Sequence, residues 1–181
     1  MKFGILWAVL AIGMSSSPAY ADEKKMEGHC LSEWKFGVTL FGDRVVPRSL
    51  GGKVVVLQYW GVGCPSCLKG FERLKKLDRN YREKGLRVVG AEIYHSGKER
   101  IASVVKKQGV GFSITDGVTG PVSVTGLPYA VVFGVDGKVI FHGHPNDEKF
   151  EKTIKLATSG AKRSARVPVK SQPALLGGAS D

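Results

Sequence analysis

Cys64 and Cys67 are the residues of this chain best suited to chemistry. Two thiols separated only by Pro65 and Ser66 make a small ring that can close as a disulfide and reopen. The elements around them place the pair at a junction. Val54 to Trp60 reads as a buried strand, and Leu68, Phe71, Leu74, Leu77 or Asp78, and Tyr81 follow with helical spacing. Cys64 then falls at the N-cap and Pro65 at the first helical position, where the helix dipole stabilises a thiolate. Cys67, one turn in and facing the sheet, suits the role of resolving thiol. Zinc ligation would need a second pair of ligands at comparable spacing, which the sequence lacks. A static disulfide closing so short a loop would constrain the unfolded chain little. Redox exchange is the reading adopted.

The remaining elements alternate. Trp34 to Leu40, a turn at Gly42-Asp43 and Arg44 to Val46 read as an N-terminal β-hairpin. Gly85 suits the end of the first helix, and Leu86 to Ile93 is a second buried-type strand. Ile101, Val104, Val105 and Gln108 mark a second helix closed by Gly109, and a glycine-rich passage runs to Gly126. Tyr129 to Val135, a tight turn at Asp136-Gly137, and Val139 to His142 form a hairpin. Asn146 is the expected N-cap of a last helix through Phe150, Thr153, Ile154 and Ala157, ended by Gly160. Strands alternating with helices imply an α/β domain with a parallel core and an antiparallel edge.

The ends read differently. Lys2, the apolar run Ile5 to Met14 and Ala19-Tyr20-Ala21 form a secretory signal at residues 1–21 with cleavage before Asp22. The alternative, an uncleaved anchor, is disfavoured because Phe3 to Met14 makes only about 18 Å of helix. A flexible leader is expected over 22–32, the domain over 33–160, and a disordered basic tail over 161–181. The exported protein would be periplasmic or otherwise extracytoplasmic, where disulfides persist. Net charge is +11, spread among helical lysines and arginines without an aromatic-interleaved stripe, so nucleic-acid binding is not expected.

Phe41 to Pro47, Gly52 to Trp60, Cys64-Pro65-Ser66-Cys67, Gly126-Leu127-Pro128-Tyr129 and Val135 to Val139 together resemble the TlpA/ResA-like thioredoxin-fold proteins, in that family's order. The likeness covers about 33 to 157. It implies a thioredoxin-like fold, a central mixed β-sheet flanked by helices, and extracytoplasmic thiol–disulfide exchange. It implies that Cys64 and Cys67 are catalytic and that Leu127, a cis Pro128 and Trp60 form the partner-binding surface. Partners would be protein disulfides or thiols, with a membrane thiol as electron donor, no cofactor, and cytochrome c maturation or similar thiol upkeep as the setting. The chain also departs from the pattern. Gln58 stands where thioredoxins carry a buried aspartate, Gly70 where ResA-like proteins carry a glutamate, and Gly63 where a tryptophan is usual.

Two features stand outside this reading. Cys30, with His29 and Glu27 nearby, reads as a structural or incidental thiol, metal binding or pairing with another protein being the alternatives. His142 and His144, joined with the cysteines, give the alternative function, a copper-binding metallochaperone of thioredoxin fold. Copper carriers of that fold resemble C-x-x-x-C rather than the spacing here, so no metal site is assigned.

Overall fold

The computed structural model describes residues 26–164, with side chains to 160. The signal at 1–21 and most of the basic tail lie outside the described residues. The chain runs through β1 (Lys35–Phe36), β2 (Thr39–Phe41), α1 (Pro47–Leu50), β3 (Val54–Trp60), α2 (Pro65–Tyr81), β4 (Leu86–Glu92), α3 (Lys98–Lys107), β5 (Ser113–Asp116), β6 (Val118–Thr119), β7 (Tyr129–Phe133), β8 (Val139–Gly143) and α4 (Glu148–Ser164). Six strands form one mixed sheet in the order β2-β5-β4-β3-β7-β8, and β1 pairs separately with β6. The contacts β3–β4 and β4–β5 are parallel, while β3–β7, β7–β8 and β2–β5 are antiparallel.

Strand β3 is buried along its whole length, as a central strand covered on both faces must be. Its even-numbered side chains Val54, Val56 and Trp60 join Cys67, Phe71, Leu74, Ile101, Val105, Phe150 and Ile154 from the three longer helices. Its odd-numbered side chains Val55, Leu57 and Tyr59 face Met26, Leu31, Trp34, Val45 and Leu50 from the N-terminal segment. The period of two thus divides one strand between two cores.

On the second face the Trp34 indole N–H donates to the Tyr59 hydroxyl at 2.8 Å, and the Trp34 ring meets Phe133 edge-on at 4.8 Å. Burial pushes Tyr59 up to about 12, against the opposing pull of the Trp34 hydrogen bond. An unfolded tyrosine ionises near 10, so the contribution of Tyr59 to stability is intact below pH ~10 and lost as pH rises toward ~12. Denaturant melts should show stability falling by about 1.4 kcal/mol per pH unit in that window, and Tyr59→Phe should remove this component of the slope. An unchanged slope in the variant would contradict the assignment.

Four sequence expectations are corrected. No N-terminal hairpin forms: β2 pairs with β5, and Arg44 to Val46 is not a strand. Thr39 Oγ1 accepts the Val45 N–H at 2.9 Å, and Pro47 starts α1 immediately afterwards, so the backbone of this stretch is committed elsewhere. The glycine-rich passage contains β5 and β6, bounded by Gly109, Gly111 and Gly117. Residues 26–32 are not a loose leader. Met26 is buried, Leu31 N–H bonds Gly137 O at 2.8 Å, and His29 O accepts from Val139 N–H at 3.0 Å, stitching this segment to the β7–β8 hairpin. At α4, Asp147 rather than Asn146 supplies the capping oxygen, which accepts the Lys149 N–H at 2.8 Å, and the helix runs through Gly160.

Candidate active site

The site sits where three chain segments meet at one end of the sheet. Strand β3 ends at Trp60 and β4, its parallel neighbour, ends beside it with Trp60 opposite Glu92. Strand β7 runs the other way and begins there, with Tyr129 opposite Tyr59. The loop after β3 therefore lies between the loop after β4 and the Leu127-Pro128 segment before β7. Crevices outside the carboxyl ends of parallel strands are where α/β sheets place their ligands.

Gly61 O accepts the Cys64 N–H at 3.0 Å, closing the turn that delivers Cys64 to the start of α2. Cys64 is the N-cap in extended conformation and Pro65 the first helical residue, as the sequence predicts. The two cysteines are joined as a disulfide with Cα atoms 5.3 Å apart. Cys67 is 1% exposed and belongs to the helix-side core, whereas Cys64 is half-buried. Cys64 Sγ accepts the Cys67 N–H at 3.3 Å and lies 3.4 Å from Ser66 Oγ. One sulfur is therefore within reach of a partner, and the other is shielded beneath it. The 17-residue helix behind them adds its N-terminal partial charge, which favours a thiolate on Cys64 once the pair is reduced.

Leu127 is half-buried and packs against both cores, Pro128 is buried, and the peptide between them is cis. Trp60 is placed differently from the sequence expectation. It is fully buried, edge-on to Phe71 at 5.1 Å, and so supports the cysteines from beneath without offering surface to a partner. Gln58, two residues earlier on the same face, is also buried. Its amide donates to Tyr59 O at 3.0 Å while its Oε1 and the Trp60 Nε1 find no partner among the described residues.

Sequence reasoning missed Glu92. This carboxylate is fully buried at the end of β4 and accepts three hydrogen bonds. They come from Val62 N–H at 3.1 Å, Ser96 N–H at 3.1 Å and Ser96 Oγ at 2.8 Å. A lone acid at the end of a strand whose residues 88–91 are Val-Val-Gly-Ala was the available signal, because a buried acid is kept where donors satisfy it.

Cys30 is a free thiol at the other end of the sheet, bridged to Lys138 beside the β7–β8 turn. The seven residues of β3, roughly 20 Å, separate that end from Cys64. His142 Nδ1 lies 3.1 Å from the Tyr129 hydroxyl, and His144 Nδ1 accepts the Asn146 N–H at 3.1 Å. Among the described residues no group of three or more histidines, cysteines or acids is placed to hold a metal ion. No described helix is long and apolar enough to cross a membrane.

No protein-family model matches the chain. It is 29% identical over 146 residues to thiol-disulfide oxidoreductase ResA of Bacillus cereus (strain ZK / E33L), a match covering 77% of this chain and 83% of that protein. The ResA of Bacillus anthracis matches over the same length with 27% identity. Among solved structures, the thioredoxin domain of a thiol-disulfide oxidoreductase from Bacteroides vulgatus superposes with a TM-score of 0.61 at 17% identity, covering 72% of this chain and 97% of that one. A secreted Mycobacterium tuberculosis disulfide oxidoreductase gives 0.54 at 22% identity, covering 77% and 99%. The mixed sheet flanked by helices thus has the thioredoxin fold.

Proposed function

We propose that this chain, a thioredoxin-fold thiol–disulfide oxidoreductase similar to the ResA proteins, reduces disulfides of other proteins outside the cytoplasm. The observation that carries the reading is the asymmetry of the pair, with Cys64 half-buried at a helix N-terminus and Cys67 1% exposed behind it.

In the reduced protein the Cys64 thiolate attacks one sulfur of the partner's disulfide. A mixed disulfide forms, and the partner's other sulfur leaves as a thiolate that takes a proton from water. Cys67 then loses its proton to water and attacks Cys64 Sγ. The intramolecular disulfide closes, the partner's second thiol is released, and two electrons have passed to the partner. Leu127, ahead of Pro128 at the start of β7, offers backbone along which the partner chain lies. A membrane dithiol would then reduce Cys64–Cys67 for the next cycle. Residues 1–21 have the pattern of an export signal, and a protein of this fold from Mycobacterium tuberculosis is described as secreted. Thiol upkeep of exported proteins, cytochrome c maturation among them, is the setting this favours.

What supports the reducing direction is the neutrality of the groups beside Cys64 Sγ in the disulfide form. The contacts at Cys64 Sγ are with a backbone N–H and a serine hydroxyl, both neutral. Strong oxidants of this class owe their potential to a highly stabilised reduced form. Equilibration with glutathione should therefore place the couple below about −200 mV, and a value near −120 mV would make the protein an oxidant and overturn the proposal.

A further inference from the structure

Tyr94 is 61% exposed, and its ring lies against the backbone of Gly61, where any Cβ would overlap it. Gly61 opens the turn that ends in Cys64. The loop carrying Tyr94 is fixed from several sides. Ile93 N–H bonds Trp60 O at 3.0 Å, tying the two strand ends together. Glu92 takes Val62 N–H from the cysteine turn and both donors of Ser96 from the Tyr94 loop, so one buried carboxylate holds the two loops to each other. His95 adopts a left-handed backbone (φ 50), with Nδ1 3.0 Å from Asp116 Oδ1 and its ring filling the space where a Cβ on Gly117 would stand, 2.8 Å from Cε1. A side chain at a positive φ costs free energy that its surroundings must offset. A buried acid, a strained histidine and a glycine at 61 together keep an exposed aromatic ring beside the turn that delivers Cys64.

The sheet order gives that ring a purpose. Cys64 emerges between the Leu127-Pro128 segment on the β7 side and Tyr94 on the β4 side. A polypeptide whose disulfide reached Cys64 would have Leu127 to one side and Tyr94 to the other. We propose that Tyr94 is a specificity-determining contact for the partner, receiving an apolar or aromatic side chain next to the partner's cysteine, and that Glu92 is the positioning residue that presents it. Face or edge packing on a rigid ring suits such a side chain.

This inference rests on the exchange reaction proposed above, and the test separates the two. The full reduced chain is assayed on insulin and on hydroxyethyl disulfide, a small substrate with no polypeptide chain or neighbouring side chain to contact Tyr94. Tyr94→Ala should slow insulin reduction ~10-fold through a raised KM and leave the small disulfide within about twofold. Tyr94→Phe should restore the insulin rate, since the ring is kept. Glu92→Gln should lower the insulin-to-small-disulfide ratio in the same sense, and the double variant should lose no more of that ratio than Tyr94→Ala alone. An insulin rate for Tyr94→Ala equal to wild type, or equal slowing on both substrates, overturns the inference while the exchange reaction stands. A wild-type protein that reduces neither substrate removes both.

Discussion

Replacing Cys64 by serine is expected to abolish turnover, with a loss on the order of 10³-fold or more in the rate of protein disulfide reduction. The reason is chemical. A thiol near a helix N-terminus ionises within reach of neutral pH, whereas a serine hydroxyl in the same place does not, and a neutral hydroxyl does not displace sulfur from sulfur. Cys64 is also the only one of the pair with exposed surface, since Cys67 is 1% exposed. Cys67→Ser should behave differently. Its Cys64 still attacks, but nothing resolves the product, so the reaction stops after one event as a mixed disulfide. Residual multiple turnover in Cys64→Ser, carried by Cys67 or Cys30, would mean that the roles are wrongly divided.

Phe71→Ala should be among the most destabilising single substitutions in the domain, costing about 4 kcal/mol. Phe71 is fully buried between two rings, edge-on to Trp60 at 5.1 Å and to Phe112 at 5.6 Å. Removing it deletes both contacts and leaves a cavity under the first half of α2. Domains of this kind are stable by only about 5–15 kcal/mol in all, so the loss is a large fraction. It also bears on function, because α2 carries both cysteines on its first turn and Phe71 seats that turn on β3. Urea unfolding should show a lower midpoint with an unchanged slope, and Phe71→Leu should recover much of the difference. A cost below about 1 kcal/mol would contradict the packing described for this helix.

Most of what positions the cysteines is local, and local features can be read from sequence. Val54 to Trp60 announces a strand buried on both faces, Pro65 marks the first helical position, and the spacing of Phe71, Leu74 and Leu77 describes the buried face of α2. Gly85 ends the segment after that helix at φ 91, as its position predicts. The misses are long-range. Ser113 to Asp116 is a strand because Val89 to Glu92 lies beside it, and its four residues between glycines carry no pattern of their own. Arg44 to Val46 has the composition of a strand, but the Val45 N–H goes to Thr39 Oγ1 and Pro47 starts α1 directly afterwards. The segment from Met26 to Leu31 looks like a polar leader until the β7–β8 hairpin supplies its hydrogen-bond partners. Trp60 and Glu92 show the same limit within the site. Their residue types are visible, but only the fold reveals that the tryptophan is sealed below the disulfide and that the acid joins two loops.

The mixed disulfide left by Cys67→Ser tests the central claim most directly. The reduced variant is incubated with insulin, quenched with acid, and its adduct mapped by peptide mass spectrometry without reduction. The account predicts one covalent adduct per chain, linked through Cys64 and released by dithiothreitol. An adduct carried mainly by Cys30, or none at all, would contradict it.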